Sequence, residues 1–171
     1  NKTVKAVCYF IKGTEKPVIC FIRGDLEINE SKLKKVISAE VVPANIKDIP
    51  GLHAGNIGPI NLSVPDATVV FDQSLKGLNN LVGGANKPEY HIKGIDFDRD
   101  VKIEAFYDIA KVKEGEKCPV CGKKLVLRNG IEVGNIFQLG TKYTKTMGMT
   151  VLDKEGKAVN PIMGCYGIGI G

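Results

Sequence analysis

Histidine occurs twice in 171 residues, and one of the two, His91, stands in 83-GGANKPEYHIKGIDFDRD-100, between a glycine pair and a group of acids. Near neutral pH an imidazole is the side chain best suited to hold or move a proton. Three other features could work with it. Asp72 closes the apolar run 69-VVFD-72, Lys5 lies in a β-branched run near the N-terminus, and 55-GNIGP-59 is a glycine-rich loop. Glycines let main-chain N–H groups approach a ligand closely, so Gly55, Gly58 and Pro59 form a candidate cradle for a carbonyl or oxyanion. Gly83, Gly84 and Asn86 form a candidate opposite wall, with the Asn86 amide as donor. His53, in 51-GLHAGNIGPINL-62, reads as a solvent-facing residue.

Cysteine chemistry is weaker. Cys118-Pro-Val-Cys121-Gly has the knuckle spacing of a zinc ribbon. One such pair supplies two of the four ligands that structural zinc takes, and no second pair follows. It reads as a turn with free thiols, and no metal is expected. Cys8 and Cys20 sit in apolar runs, where thiols pack as small hydrophobes. The final GIGIG lacks the helix and acidic partner of a dinucleotide fingerprint. No nucleophile-elbow pattern and no carboxylate pair suited to glycoside chemistry are present.

Composition bounds the class. Hydrophobic content of 43% and charged content of 25% are those of a globular chain with a real core. No apolar run approaches the ~18 residues of a membrane span, and no signal peptide is visible, so a cytoplasmic setting is the expectation. The net charge of +5 is modest. Its lysine groups, 32-KLKK-35 and 117-KCPVCGKK-124, could meet a polyanion, although such runs more often mark a solvated face.

Short elements must position these residues. The runs 3-TVKAVCYFIK-12 and 17-PVICFIR-23 flank the turn 13-GTEK-16 and predict a β-hairpin. Asn29 is a candidate cap for a helix with Leu33, Val36 and Ile37 on one face. A short helix over 46–51 stopped by Pro50, a strand over 67–75, a helix or turn from residue 75, and a strand over 89–97 follow. Such alternation predicts a mixed α+β domain, α/β in its broadest class, with a central mixed sheet and flanking helices. The polar, lysine-rich segment from residue 111 reads as a boundary, dividing the chain into 1–112 and 113–171. Beyond it, 130–143 and 146–171 read as antiparallel strands, with a turn at 153-DKEGK-157. The chain stops inside a glycine-rich run, where a domain seldom ends, and so reads as a fragment.

The blocks 130-GIEVGNIFQLGTKY-143 and 163-MGCYGIGIG-171 resemble the catalytic core of bacterial-type prolyl-tRNA synthetases leading into class II motif 3. Upstream, 3-TVK-5, 23-RGDLEINESK-32, 57-IGPINL-62, 69-VVFD-72, 83-GGAN-86 and 94-GIDFDRD-100 resemble the editing domain inserted in the same enzymes. Motifs 1 and 2 would precede residue 1, and the motif 3 arginine would follow Gly171. The family carries histidine where this chain has Asn135, which bears on proline recognition and leaves the editing pocket untouched.

The resemblance implies an editing domain followed by antiparallel strands of a class II synthetase core. It also implies hydrolysis of alanine misattached to tRNA(Pro), without metal or other cofactor. A proline-shaped site cannot strongly exclude the smaller alanine, because a missing methylene is worth only about 1–3 kcal/mol. The activated ester then needs positioning, a water and oxyanion stabilisation. By the same resemblance His91 orients the alanyl group, Lys5 meets the terminal adenosine or its phosphate, and Asp72 bonds the ribose or α-amine. The partner is the tRNA(Pro) acceptor end, bearing an alanine ester, with no membrane. The parent enzyme would ligate proline using ATP and magnesium, as a homodimer. Two alternatives stand beside this: a deacylase of relaxed specificity, and a non-catalytic module that binds the acceptor end.

Overall fold

The computed structural model describes residues 2–169. The last two residues of the GIGIG run lie outside the described residues. The chain forms two compact units, residues 1–113 and 114–171.

In the first unit, β1 (Val4–Ile11) and β2 (Pro17–Arg23) pair antiparallel around 13-GTEK-16, as the hairpin pattern predicts. Gly13 supplies the positive φ, +79°, that the turn requires. A helix α1 (Glu30–Ile37) follows. Asn29 caps it by accepting the Lys32 N–H on its side-chain oxygen, and Ser38 ends it in the left-handed region. Next come β3 (Val41–Pro43), a 3-10 turn at Ile46–Asp48, β4 (Thr68–Asp72) and a second 3-10 turn at Gln73–Leu75. β5 (Leu81–Gly84) pairs antiparallel with β6 (His91–Ile95), and a four-residue α2 (Phe97–Asp100) leads to β7 (Phe106–Tyr107).

Five of these strands form one sheet in the order β3-β1-β2-β4-β7. The β2–β4 and β4–β7 pairs are parallel and the others antiparallel, so the sheet is mixed, as expected. β2 is buried from Pro17 to Ile22 because both of its faces are covered. On one face Ile19 and Phe21 pack with Phe71, Leu75, Leu81 and Phe97. Phe21 stacks on Phe71 at 5.4 Å, and Phe97 meets Phe71 edge-on at 6.1 Å. On the other face Val18, Cys20 and Ile22 pack with Leu26, Leu33 and Ile109. Burial pushes the Cys8 thiol up to about 11 and that of Cys20 to about 12, which makes them inert packing groups. Helical cover is thinner than the alternation of elements suggests. α1 lies over one face, while the other is closed by loops, 3-10 turns, α2 and the β5–β6 hairpin.

In the second unit, β8 (Gly134–Gly140) pairs antiparallel with β11 (Met163–Ile168). β9 (Val151–Leu152) and β10 (Ala158–Val159) form a hairpin whose turn is tied by Asp153 Oδ1, which accepts the N–H groups of Glu155 and Lys157. One expectation fails here. Lys142 and Tyr143, read as the end of a strand, begin the helix α3 (Lys142–Thr146). Gly140 at φ +56° breaks the strand, and the Thr144 hydroxyl turns inward to donate to Pro161 O at 2.9 Å. Every buried hydrophobic residue among those described falls between Val4 and Ile109. The core therefore belongs to the first unit.

Candidate active site

A cavity of about 210 Å³ opens where the start of β1 meets the β5–β6 hairpin. Thr3 bridges Val82, and Val82 N–H donates to Lys2 O at 2.8 Å, which fixes the hairpin against β1. Val4, Ala6, Ile46, Ile57 and Val82 supply an apolar wall. His91, Gly83, Gly84 and Gly55 border the same space, so four of the residues singled out from sequence converge. His91 is exposed, paired with Gly84 across the hairpin, and no described hydrogen bond ties up its ring.

The acids that follow His91 do not serve it. Asp96 caps α2 by accepting the N–H groups of Asp98 and Arg99. Asp100 pairs with the Arg99 guanidinium at 2.6 Å, which holds its carboxyl down at about 2. Arg99 also donates to Gly94 O at 3.0 Å. The cluster is a self-contained cap, and the imidazole is left to the cavity.

Lys5 borders the cavity as well. Strand alternation sets its side chain on the sheet face of Val7 and Tyr9, opposite Val4 and Ala6. Its charge is felt at Glu27, whose carboxyl is lowered first by the hydrogen bond from Lys111 and then by surrounding lysines. A four-carbon stem must curl round the strand to bring the ammonium over the cavity mouth.

Three expectations are corrected. Asp72 is fully buried and lies outside the cavity lining. Its Oδ1 accepts Ser74 N–H at 2.9 Å and its Oδ2 accepts Ile109 N–H at 2.9 Å, so both oxygens are spent on the main chain. Asn86, read as a donor to substrate, is spent likewise. Its Nδ2 donates to Gly58 O at 3.0 Å and to Ile60 O at 2.8 Å, and its Oδ1 accepts Gly58 N–H at 2.8 Å. The third concerns the 55–59 cradle. With Gly58 N–H held by Asn86, and Asn56 N–H donated to His53 O at 2.9 Å, these two amides cannot also serve an oxyanion. Gly58 and Pro59 are buried behind the lining.

What the glycines do is allow backbone to lie on backbone. A Cβ on Gly58 would meet the Gly84 carbonyl, and a Cβ on Gly84 would meet the carbonyls of Asn56 and Ile57. Sequence reasoning missed Thr3, Ile46, Ile57 and Val82 because apolar and hydroxyl side chains carry no chemical signal of their own. It also missed Asn56, whose side chain accepts Glu89 N–H and donates to Tyr90 O, steadying the approach to His91. Its place between Gly55 and Ile57 in the glycine loop was the available hint.

Taken together, the first unit is a mixed sheet carrying a small, largely apolar cavity edged by the His91 imidazole. Residues 1–100 match the profile of the aminoacyl-tRNA editing domain. The chain belongs to the aminoacyl-tRNA editing domain family. It is 42% identical to the proline--tRNA ligase of Halothermothrix orenii over 99% of its own length and 30% of that protein. It is 47% identical to the proline--tRNA ligase of Campylobacter concisus, again over 99% of itself and 33% of that protein. The chain thus spans about a third of the length of these curated relatives. Among solved structures, hypothetical protein APE2540 shares the fold at a TM-score of 0.54 and 18% identity, covering 64% of this chain and 75% of that one. No helix among the described residues is long and apolar enough to cross a membrane.

Proposed function

We propose that the first unit hydrolyses the ester of alanyl-tRNA(Pro) at the cavity beside His91. The observation that carries this reading is the cavity's size and lining. At about 210 Å³ it falls below the roughly 300–1,000 Å³ of sites that enclose drug-sized ligands. It suits a methyl-bearing aminoacyl group, with the terminal nucleotide left outside. Val4, Ala6, Ile46, Ile57 and Val82 offer the side chain an apolar contact.

In the proposed reaction a water oxygen adds to the ester carbonyl carbon, and the tetrahedral intermediate expels the ribose oxygen, which takes up a proton. The products are free alanine and tRNA(Pro). The bond is already activated, so holding ester and water in register supplies most of the rate. His91 orients the alanyl amine or carbonyl through its ring nitrogens. Lys5 reaches the negative charge of the terminal nucleotide. Gly83, Gly84 and Gly55 let the chain end come against bare backbone. Asn86 acts at one remove, by holding Gly58 and Ile60 beside the glycine wall.

For the longer protein we propose ATP-dependent ligation of proline to tRNA(Pro), by a homodimer in the cytoplasm. The ATP and magnesium of that ligation are assigned to the longer protein. Asn135, on β8, donates to Glu132 at 2.6 Å.

The test is release of amino acid from alanyl-tRNA(Pro) and prolyl-tRNA(Pro), by the unmodified chain and by His91→Ala. Alanine should be released, proline spared, and the variant impaired. Release of both amino acids would favour a relaxed deacylase. Binding of alanyl-tRNA without release would make the module a binder of the acceptor end and overturn the catalytic reading.

A further inference from the structure

The pair Cys118 and Cys121 takes no part in the cavity, yet its loop is built as a knuckle. Gly115 N–H donates to Leu125 O at 2.9 Å, Leu125 N–H to Glu116 O at 2.7 Å, and Cys118 N–H to Lys123 O at 2.8 Å. Lys117 and Lys124 pair antiparallel across the same hairpin. At the tip, Gly122 N–H donates back to Cys118 O at 2.9 Å, and Gly122 adopts φ +71°, which a residue with a Cβ resists. Pro119 presets the turn's first corner.

The turn closed between Cys118 and Gly122 carries both cysteines, three positions apart, at the end of one hairpin. Lys117, Lys123 and Lys124 flank the pair in sequence. Cys118 is partly exposed and Cys121 exposed, so both sulfurs are open to a ligand.

We propose that Cys118 and Cys121 form a two-thiolate half-site for a thiophilic divalent cation, zinc. Paired thiolates at this spacing select such ions over magnesium or calcium. No third His, Cys, Asp or Glu among the described residues joins the pair, so water or a small thiol completes the coordination. Binding replaces the proton of each thiol still protonated and releases it to solvent, and the knuckle is stapled shut.

The test uses the reduced chain titrated with cadmium, followed by the thiolate-to-cadmium charge-transfer absorption, with zinc then added as competitor. One saturable band is expected, reaching its limit at one cadmium per chain and displaced by zinc. Cys118→Ser and Cys121→Ser should each lose it, while Cys165→Ser, which removes another exposed thiol, should keep it. Zinc should also slow amide exchange at Cys118 and Gly122. No band in the unmodified chain overturns the proposal, whatever the variants do. So does a band that survives both knuckle variants, or one lost with Cys165.

Discussion

Asn86 and Gly58 form a reciprocal pair: Gly58 N–H donates to the Asn86 side-chain oxygen at 2.8 Å, and the Asn86 amide nitrogen donates to Gly58 O at 3.0 Å. One side chain thus completes both main-chain valences of a residue twenty-eight positions away, as a neighbouring strand would. A third bond, from the same nitrogen to Ile60 O at 2.8 Å, extends the grip to the next turn. The cavity's glycine wall exists because this clamp holds the 56–60 loop against the end of β5.

Replacing Asn86 should therefore loosen the site and cost stability. Asn86→Ala removes all three bonds and leaves Gly58 N–H without its acceptor. Each buried group left unsatisfied costs about 1–3 kcal/mol, so a loss on the order of 2–4 kcal/mol is expected. Asn86→Asp keeps the acceptor and loses both donations, and should fall between. Urea midpoints of the three proteins give the ranking, and a variant as stable as the parent would refute the clamp.

Gly84→Ala probes the backbone contact itself. The added methyl would meet the Asn56 and Ile57 carbonyls, neither of which is the end of a flexible side chain. The loop must move away, so alanyl ester hydrolysis should fall by at least about tenfold, the equivalent of about 1.4 kcal/mol. Far-ultraviolet dichroism should remain that of the folded sheet. Unchanged hydrolysis would show that the wall is not needed in this position.

Asp72 offers a contrast between structure and chemistry. Asp72→Ala strands the N–H groups of Ser74 and Ile109 in a fully buried place, with an expected cost of about 2–4 kcal/mol. At a temperature where the variant stays folded, its KM for alanyl-tRNA should match the parent's. A raised KM with unchanged stability would return Asp72 to the substrate.

Acid stability should carry a contribution from Asp25. Arg23 holds this carboxyl in a two-point hydrogen bond, with Lys113 beyond, and its value falls to about 2 from an ordinary 3.8. A lowered carboxylate stabilises the fold above its unfolded value, and that share is lost as pH falls through about 2. The pair is partly exposed, so the share is no more than about 1 kcal/mol. Asp25→Asn should lower stability at pH 6 and flatten the decline between pH values of about 4 and 2. Denaturation midpoints at the three pH values measure both.

Local patterns were legible wherever neighbours in sequence are neighbours in space. The hairpin of β1 and β2, the Asn29 cap and the apolar face of α1 follow from alternation, turn residues and capping chemistry within about ten residues. Lys142 and Tyr143 were misread because helix α3 leans on Pro161, a partner that no local window contains.

For the site, the sequence by itself determined which residues could do chemistry, while the hairpin that sets His91 opposite Gly84 came from the fold. It could not tell Asp72 from a catalytic carboxylate, or Asn86 from a substrate donor. An acid or an amide has the same composition whether it faces a ligand or a peptide group. Only the tertiary fold decided that, by bringing Ile109 to Asp72 and Gly58 to Asn86, and so spending on the backbone the hydrogen bonds that a substrate would have used.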